Sequence, residues 1–260
     1  MEPAKQFLAD LKVLVTRPKE LASNLAFLIE QAGGIPVLYP VINIEEPNNT
    51  ELRDRALKQL SSFDMAVFIS PTAVRKTLEH VNQFPATLRI AALGSSTANS
   101  LKQNNIPVSI QPDGHDSESL LKLAELQPDK ITGKSIVIFR GEGGRDMLGD
   151  TLASRGSHVH YAEMYRRACA KNKPPLSVEQ LGDIDIITVT SNEGLQNLFE
   201  LAENKPALLK LPLIVPGERC ERLARELGFN EIVKSPDARD TSCLETLRSW
   251  TTILRENTGH

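Results

Sequence analysis

The chain has 260 residues, 40% of them apolar, with 30 Lys plus Arg against 33 Asp plus Glu and a net charge of −3. That length and composition exclude a disordered chain and any need for disulfide staples, and they leave room for one large or two small domains. The charge balance lacks the basic excess of a nucleic-acid binder, and no run of 18 apolar residues is present to span a membrane.

Met1–Asp10 holds Glu2, Lys5 and Asp10 without a long apolar run, so no signal peptide is read there. Lys12–Thr16 (KVLVT) reads as the first strand, and Leu21–Gln31 follows with helical spacing. Gly33 and Gly34 stop that helix, and Ile35–Tyr39 reads as the next strand. The same grammar returns at Met65–Ile69, Arg89–Leu93, Ser135–Phe139, Asp185–Val189 and Leu211–Val215. Buried runs of about five residues, each leading into a helix, predict an α/β fold with parallel sheets covered by helices on both faces. Tyr39–Glu45 (YPVINIE) and His158–Arg166 (HVHYAEMYR) are extended and each closes a βα unit. If both pass between two lobes, they form a two-stranded link, and one lobe is assembled from both chain ends. Arg255–His260 reads as a frayed terminus. Cys169, Cys220 and Cys243 match no metal knuckle and no C-x-x-C pair, so reduced thiols in the cytosol are expected.

An internal repeat runs through the chain. Arg17 and Arg140 each follow a strand and open a helix, 123 residues apart. Gly33 or Gly34 ends the first of these helices and Gly156 the second, and Tyr39 and Tyr161 sit in the strands after them. Ile69-Ser70-Pro71 matches Thr190-Ser191-Asn192 at an offset of 121, and Gly94–Ala98 matches Gly217–Glu221 at 123. Asp116-Ser117 matches Asp240-Thr241 at 124. A duplicated α/β unit is predicted, giving two similar lobes of roughly 120 residues each.

Polar residues cluster just after the strands: Thr16-Arg17, Ser70-Pro71-Thr72, Gly94–Thr97, Arg140–Arg145, Ser191-Asn192 and Gly217–Arg219. Ligands of open α/β sheets bind beyond the carboxyl ends of the strands, where helix N-termini offer unpaired N–H groups. Two facing lobes would present two such sets to a large polyanion. Ser70, Thr97 and Ser191 are either plain N-caps or substrate ligands, and Arg17 and Arg140 either surface charges or site residues. Gly141–Arg145 (GEGGR) places Asp146 where a dinucleotide fingerprint needs its third glycine, and no P-loop occurs, so an anion-binding turn is the modest reading. His158 and His160 face one side of a strand, but no ligand spacing around them suggests a metal. Glu45-Glu46 reads as a solvated strand end. Tyr165, followed by Arg166 and Arg167, either packs at a lobe junction or donates a hydrogen bond, because a phenol is a poor base at neutral pH. With no G-x-S-x-G elbow and no evident strong acid, base or nucleophile, the chemistry expected depends on placement more than on proton transfer.

Taken in order, several motifs resemble the uroporphyrinogen-III synthase family. They are KVLVTRP (Lys12–Pro18), FISPTAV (Phe68–Val74), ALGSSTA (Ala92–Ala98), SESLL (Ser117–Leu121), FRGEGGR (Phe139–Arg145), Tyr165-Arg166, TSN (Thr190–Asn192) and ARELGF (Ala224–Phe229). The resemblance implies two flavodoxin-like parallel-sheet lobes, one from 12–39 plus 168–255 and one from 45–163, joined by a two-stranded link at 39–45 and 163–168. It implies that a linear tetrapyrrole, hydroxymethylbilane, is cyclised with loss of water and inversion of the last pyrrole ring through a spiro-pyrrolenine. It implies no cofactor and no metal. The substrate is the expected partner, with no nucleic acid and no membrane, and a cytoplasmic monomer is the expected form.

By matching motif, Tyr165 is the candidate that donates to the departing hydroxyl. Thr16, Ser70, Pro71, Thr97, Gly141, Ser191, Asn192 and Gly217 would bind substrate, and Arg17, Arg140 and Arg145 would offset carboxylate charge. Pro216-Gly217-Glu218-Arg219 departs from the Gly-Pro-Thr-like or serine-containing turn of the family, which weakens the case for a side-chain role there. A two-lobed binding protein and a nucleotide-using enzyme are the rival readings. The missing signal peptide and the missing glycine fingerprint disfavour them respectively.

Overall fold

The computed structural model describes residues 6–258; residues 1–5 of the segment read for a leader, and residues 259–260 of the closing segment, lie outside them. The first elements are β1 (Lys12–Val15), α1 (Lys19–Gln31), β2 (Ile35–Leu38) and β3 (Ile42–Glu45). There follow α2 (Glu51–Lys58), β4 (Met65–Phe68), α3 (Pro71–Leu78), β5 (Arg89–Ala92), α4 (Ser95–Gln103), α5 (Ser117–Leu121), α6 (Pro128–Ile131), β6 (Ser135–Gly141), α7 (Met147–Ser154) and β7 (His158–Cys169). The last are α8 (Val178–Gly182), β8 (Ile186–Thr188), α9 (Asn192–Leu201), α10 (Lys205–Leu208), β9 (Leu213–Pro216), α11 (Gly217–Leu227), β10 (Ile232–Ser235) and α12 (Asp240–Thr258). Arg255–Thr258, expected to fray, continues α12.

The chain divides into two compact units, a discontinuous one of Met1–Asn43 with Ala168–His260 and a continuous one of Ile44–Arg167. In the discontinuous unit the strand order is β2-β1-β8-β9-β10, and every neighbouring pair is parallel. Counted within the unit this is 2-1-3-4-5, a doubly wound order whose direction switches between β1 and β8. In the continuous unit the order is β3-β7-β6-β4-β5, with an isolated bridge from Ala91 to Ile110. Here β7–β6, β6–β4 and β4–β5 are parallel, and the switch lies between β6 and β4.

The two sheets carry the repeat in their registers. Lys12 opposes Ile35 and Ser135 opposes His158, so both partners move by 123 positions. Val13 opposes Ile186 and Ile136 opposes Met65, the same pairing with its second partner now earlier in the chain. The units are therefore copies with their strands in a rotated chain order. Finer details obey the same copy rule. Gly33 and Gly156, just past α1 and α7, both take left-handed backbone, at φ 86° and 89°, where a side chain would be strained. The matched tyrosines each lie under a cation, though from non-equivalent positions: the Lys173 ammonium is 3.3 Å above the Tyr39 ring and the Arg140 guanidinium 3.8 Å above that of Tyr161.

The continuous runs read as strands are apolar on both faces because helices cover both. From β4, Ala66 and Phe68 enter one core with Phe139, Val74 and Leu101, while Met65 and Val67 enter the other with Ile138, Leu120 and Leu152. Phe68 and Phe139 stack at 4.8 Å. In the discontinuous unit Val13, Val15 and Ile186 pack against Leu25, Ile29 and Leu247. Glu45 and Glu46 are not simply solvated: Glu45 pairs with Arg166, and Glu46 with Arg53 and Lys76.

All three cysteines are free. Burial pushes the Cys220 thiol up to about 11 and the Cys243 thiol up to about 12. Neither is expected to react with iodoacetamide in the folded protein at pH 8, because the thiolate is the nucleophile. Mass spectrometry should find both alkylated only after unfolding.

Candidate active site

The site grows from a register shift. Between β6 and β7, Arg140 opposes Glu163 while the very next residue, Gly141, opposes Tyr165. Two steps along β7 thus match one along β6, leaving Met164 as the extra residue of a bulge, which re-aims the rest of the strand. Tyr165 comes to lie against the Gly141 backbone. A Cβ at Gly141 would stand 2.8 Å from the Tyr165 ring, so only glycine admits the phenol there. Tyr165 as a residue is 4% exposed and joins the Phe68–Phe139 core. Its hydroxyl reaches Ser70 Oγ at 3.1 Å, across the β6/β4 switch point.

Ser70 is held by its own helix. It is the N-cap of α3, in extended backbone, and its Oγ accepts from Ala73 N at 3.0 Å, with Pro71 in the first turn. Ser191 repeats this at α9, accepting from Gly194 N at 3.0 Å. The capping reading is therefore right for both, and Ser70 carries the phenol contact in addition. Thr97 is no cap. Gly94 caps α4 without a side-chain bond, and Thr97 is buried in the first turn. That missing cap leaves the first N–H groups of α4 available to a ligand.

The loop after Gly141 is pinned at both ends. Glu142 N donates to Tyr165 O at 2.7 Å, and the Glu142 carboxylate accepts from Asn48 N at 2.8 Å and Asn48 Nδ2 at 2.6 Å. Those bonds hold the Glu142 carboxyl below its ordinary range, the backbone bond most. At the far end Arg140 donates to Asp146 Oδ1 at 2.8 Å and to Glu163 Oε1 at 3.1 Å. The Tyr161 hydroxyl donates to Asp146 O at 3.2 Å. The Arg140 side chain is 9% exposed, and its charge is met by two carboxylates of its own unit, which leaves it poorly placed to offset a ligand's charge. Arg145, in contrast, is exposed and has no ion pair among the described residues.

The discontinuous unit lacks a phenol at its own switch point. The offset of 123 puts Pro18 where Gly141 stands and Ile42 where Tyr165 stands. Thr16 there donates to Thr188 O at 2.7 Å, and Thr188 Oγ1 donates to Leu14 O at 3.1 Å, both side chains buried. Arg17 pairs with Asp240 at 2.9 Å and donates to Ala238 O. Asn192 opens α9, half-buried. Gly217 opens α11 at φ 71° without a side-chain cap, unlike its repeat mate Gly94, which is extended. Asn48 and Glu163 were not singled out in the sequence, because only the fold brings them to the loop; Asp146 was noted only as the residue standing where a dinucleotide fingerprint needs a glycine. No group of three or more His, Cys, Asp or Glu that could hold a metal occurs among the described residues.

The family described as uroporphyrinogen-III synthase HemD matches residues 23–245. A uroporphyrinogen-III synthase of Salmonella typhimurium is 34% identical over 254 residues, covering 92% of this chain and 100% of that protein. One from Escherichia coli K12 is 31% identical with the same coverage. Among solved structures, uroporphyrinogen-III synthetase of Helicobacter pylori superposes with a TM-score of 0.61 at 14% identity, covering 92% of this chain and 99% of that one. A mutant synthase of Thermus thermophilus gives 0.57 at 20%, covering 95% and 99%. The structural likenesses speak for the two-domain α/β fold alone. The sequence matches run through both units and past every element of the Tyr165 loop, and on them the chain belongs to the uroporphyrinogen-III synthase family.

Proposed function

We propose that this chain closes hydroxymethylbilane to uroporphyrinogen III, removing the terminal hydroxyl as water and inverting the last pyrrole ring through a spiro-pyrrolenine. The observation that carries the reading is the Tyr165 hydroxyl fixed over Gly141 and 3.1 Å from Ser70, at the switch point of its sheet. The pyrrole nitrogen itself helps expel the hydroxyl, so a weak acid suffices. What the protein supplies is one conformation of a flexible chain, which is worth several kcal/mol when reacting atoms are pre-positioned. The uncapped start of α4 suits a substrate carboxylate, and Arg145 adds an open positive charge. Ser191, Asn192 and Gly217 stand at the corresponding strand ends of the discontinuous unit and remain candidate substrate contacts. Arg17 and Arg140 drop out of the substrate's cations, because each is spent on carboxylates of its own unit.

In this reading the protein works as a monomer in the cytosol and takes no nucleic acid. Free cysteines are what that compartment favours, and no described helix is long and apolar enough to cross a membrane. The test is to feed the protein enzymatically generated hydroxymethylbilane, oxidise the product and resolve the isomers by chromatography. Type III above the spontaneous type I background is the expected result; type I alone refutes the reading. Tyr165→Phe should cut the rate by roughly tenfold or more, below the roughly 10²–10⁴-fold usual for general acid catalysis because the pyrrole nitrogen shares the task, while melting like the parent. Equal turnover would remove the phenol from the mechanism.

A further inference from the structure

The Ser70–Tyr165 pair has a direction that its distance alone leaves open, and hydrogen-bond accounting supplies it. A serine hydroxyl has one proton and two lone pairs, and a phenol has one proton to place. One Ser70 lone pair is taken by Ala73 N–H at 3.0 Å. Tyr165 as a residue is 4% exposed, and Ser70 is the hydrogen-bond partner of its hydroxyl among the described residues. If Ser70 donated to the phenol, the phenol proton would be left buried without an acceptor, which folded proteins avoid. If the phenol donates to Ser70, both serine lone pairs are filled and every buried group is satisfied. The remaining proton, on Ser70 Oγ, then points away from both, and Ser70 is only half-buried.

We propose that Ser70 is the catalytic residue that hands the proton to the departing hydroxyl, and that Tyr165 acts through it by refilling Ser70 Oγ. This rests on the synthase reading above. As the substrate's C–O bond breaks, its electron pair goes to the oxygen, which takes the Ser70 proton and leaves as water. The Tyr165 proton moves to Ser70 Oγ in the same event. The positive charge stays on the methylene-pyrrole, and the negative charge is left on the Tyr165 oxygen, near the N-terminal end of α3, whose dipole favours it. The proton lost when the inverted ring regains aromaticity returns to that oxygen. The sequence separates the two residues by 95 positions, and their partnership depends on the β6–β7 bulge.

The relay is tested by Ser70→Ala, Ser70→Thr, Ser70→Asn, Tyr165→Phe and the Ser70→Ala/Tyr165→Phe double variant, each assayed below its own melting temperature on generated hydroxymethylbilane. Ser70→Ala and Tyr165→Phe should each lower kcat by roughly tenfold or more with KM little changed, and the double variant should be no slower than the slower single, because linked groups act as one unit. Ser70→Thr restores both hydroxyl and cap and should recover most of kcat. Ser70→Asn caps the helix without a hydroxyl, so it should melt like the parent yet turn over like Ser70→Ala. Parent-like kcat in Ser70→Ala or Ser70→Asn overturns the relay. So do a loss confined to KM and losses that multiply in the double variant. A parent that yields no type III isomer defeats the synthase reading instead, which keeps the two failures apart.

Discussion

Gly141→Ala is expected to cost about 3 kcal/mol and to remove more activity than Tyr165→Phe, the upper range for forcing one extra carbon into a packed site. Backbone strain is not the cause, since Gly141 is not among the glycines with positive φ. The clash is with Tyr165: Cζ at 2.8 Å, Cε2 at 2.9 Å and the hydroxyl at 3.1 Å from the new methyl. The ring cannot swing away, because it is buried in the Phe68–Phe139 core. Relief must come from parting β6 and β7 or from shifting the phenol off Ser70. A thermal melt should show a drop on the order of 10 °C, and the isomer assay a near-complete loss of type III product. A double-mutant cycle isolates the cause. In a Tyr165→Ala background the alanine at 141 has space, and its own cost should vanish. A full penalty in that background would place the clash elsewhere.

Arg140→Met should destabilise the protein by about 2 kcal/mol and raise KM more than it lowers kcat. Breaking a buried ion pair commonly costs about 3–5 kcal/mol, because a charge is stranded. The figure is lower here for two reasons. Asp146 is 63% exposed and recovers water once released. Arg140 Nε is itself buried without a hydrogen-bond partner, so the native arrangement already carries a cost. What is lost beyond the ion pairs is the stack on Tyr161 and the anchor at the end of the 142–146 loop. Arg140→Lys should rescue little, since one ammonium cannot reach Asp146 and Glu163 while lying flat on a ring. Chemical denaturation and steady-state kinetics check both parts. An unchanged KM with reduced kcat would mean that Arg140 serves the chemistry directly.

Much of the scaffold was legible because buried parallel strands are written as short apolar runs, and β1, β4, β5, β6 and β9 fall within a residue or two of their expected positions. β10 was missed because Ile232–Ser235 is an edge strand half open to water, and Lys234 breaks its apolar run. The repeat was legible from landmarks, yet the same offset hides different local conformations, as Gly94 and Gly217 show. Ser70 and Gly141 were marked by position after a strand and Tyr165 by the arginines that follow it, but not that the three touch, which depends on a bulge no residue type announces. The ion pairs of Arg140 were not legible because its two carboxylates come from opposite sides, one in the loop and one on the next strand. A side chain's partners across strands cannot be read from its own neighbourhood in the chain.

The rotated copy has a consequence for how the protein is made. β4 to β7 belong to one continuous stretch, so that sheet can close soon after its last strand leaves the ribosome. β1 must wait for β8, since Val13 pairs with Ile186. At translation speeds of about 5–20 residues per second, the delay is roughly 9–35 s. Throughout it one edge of Val13-Leu14-Val15 stays open, a template for wrong pairing. Nascent-chain quality control therefore bears on the amino-terminal βαβ far more than on its copy, and equal substitutions in β1 and β6 should differ in yield even where they cost equal stability.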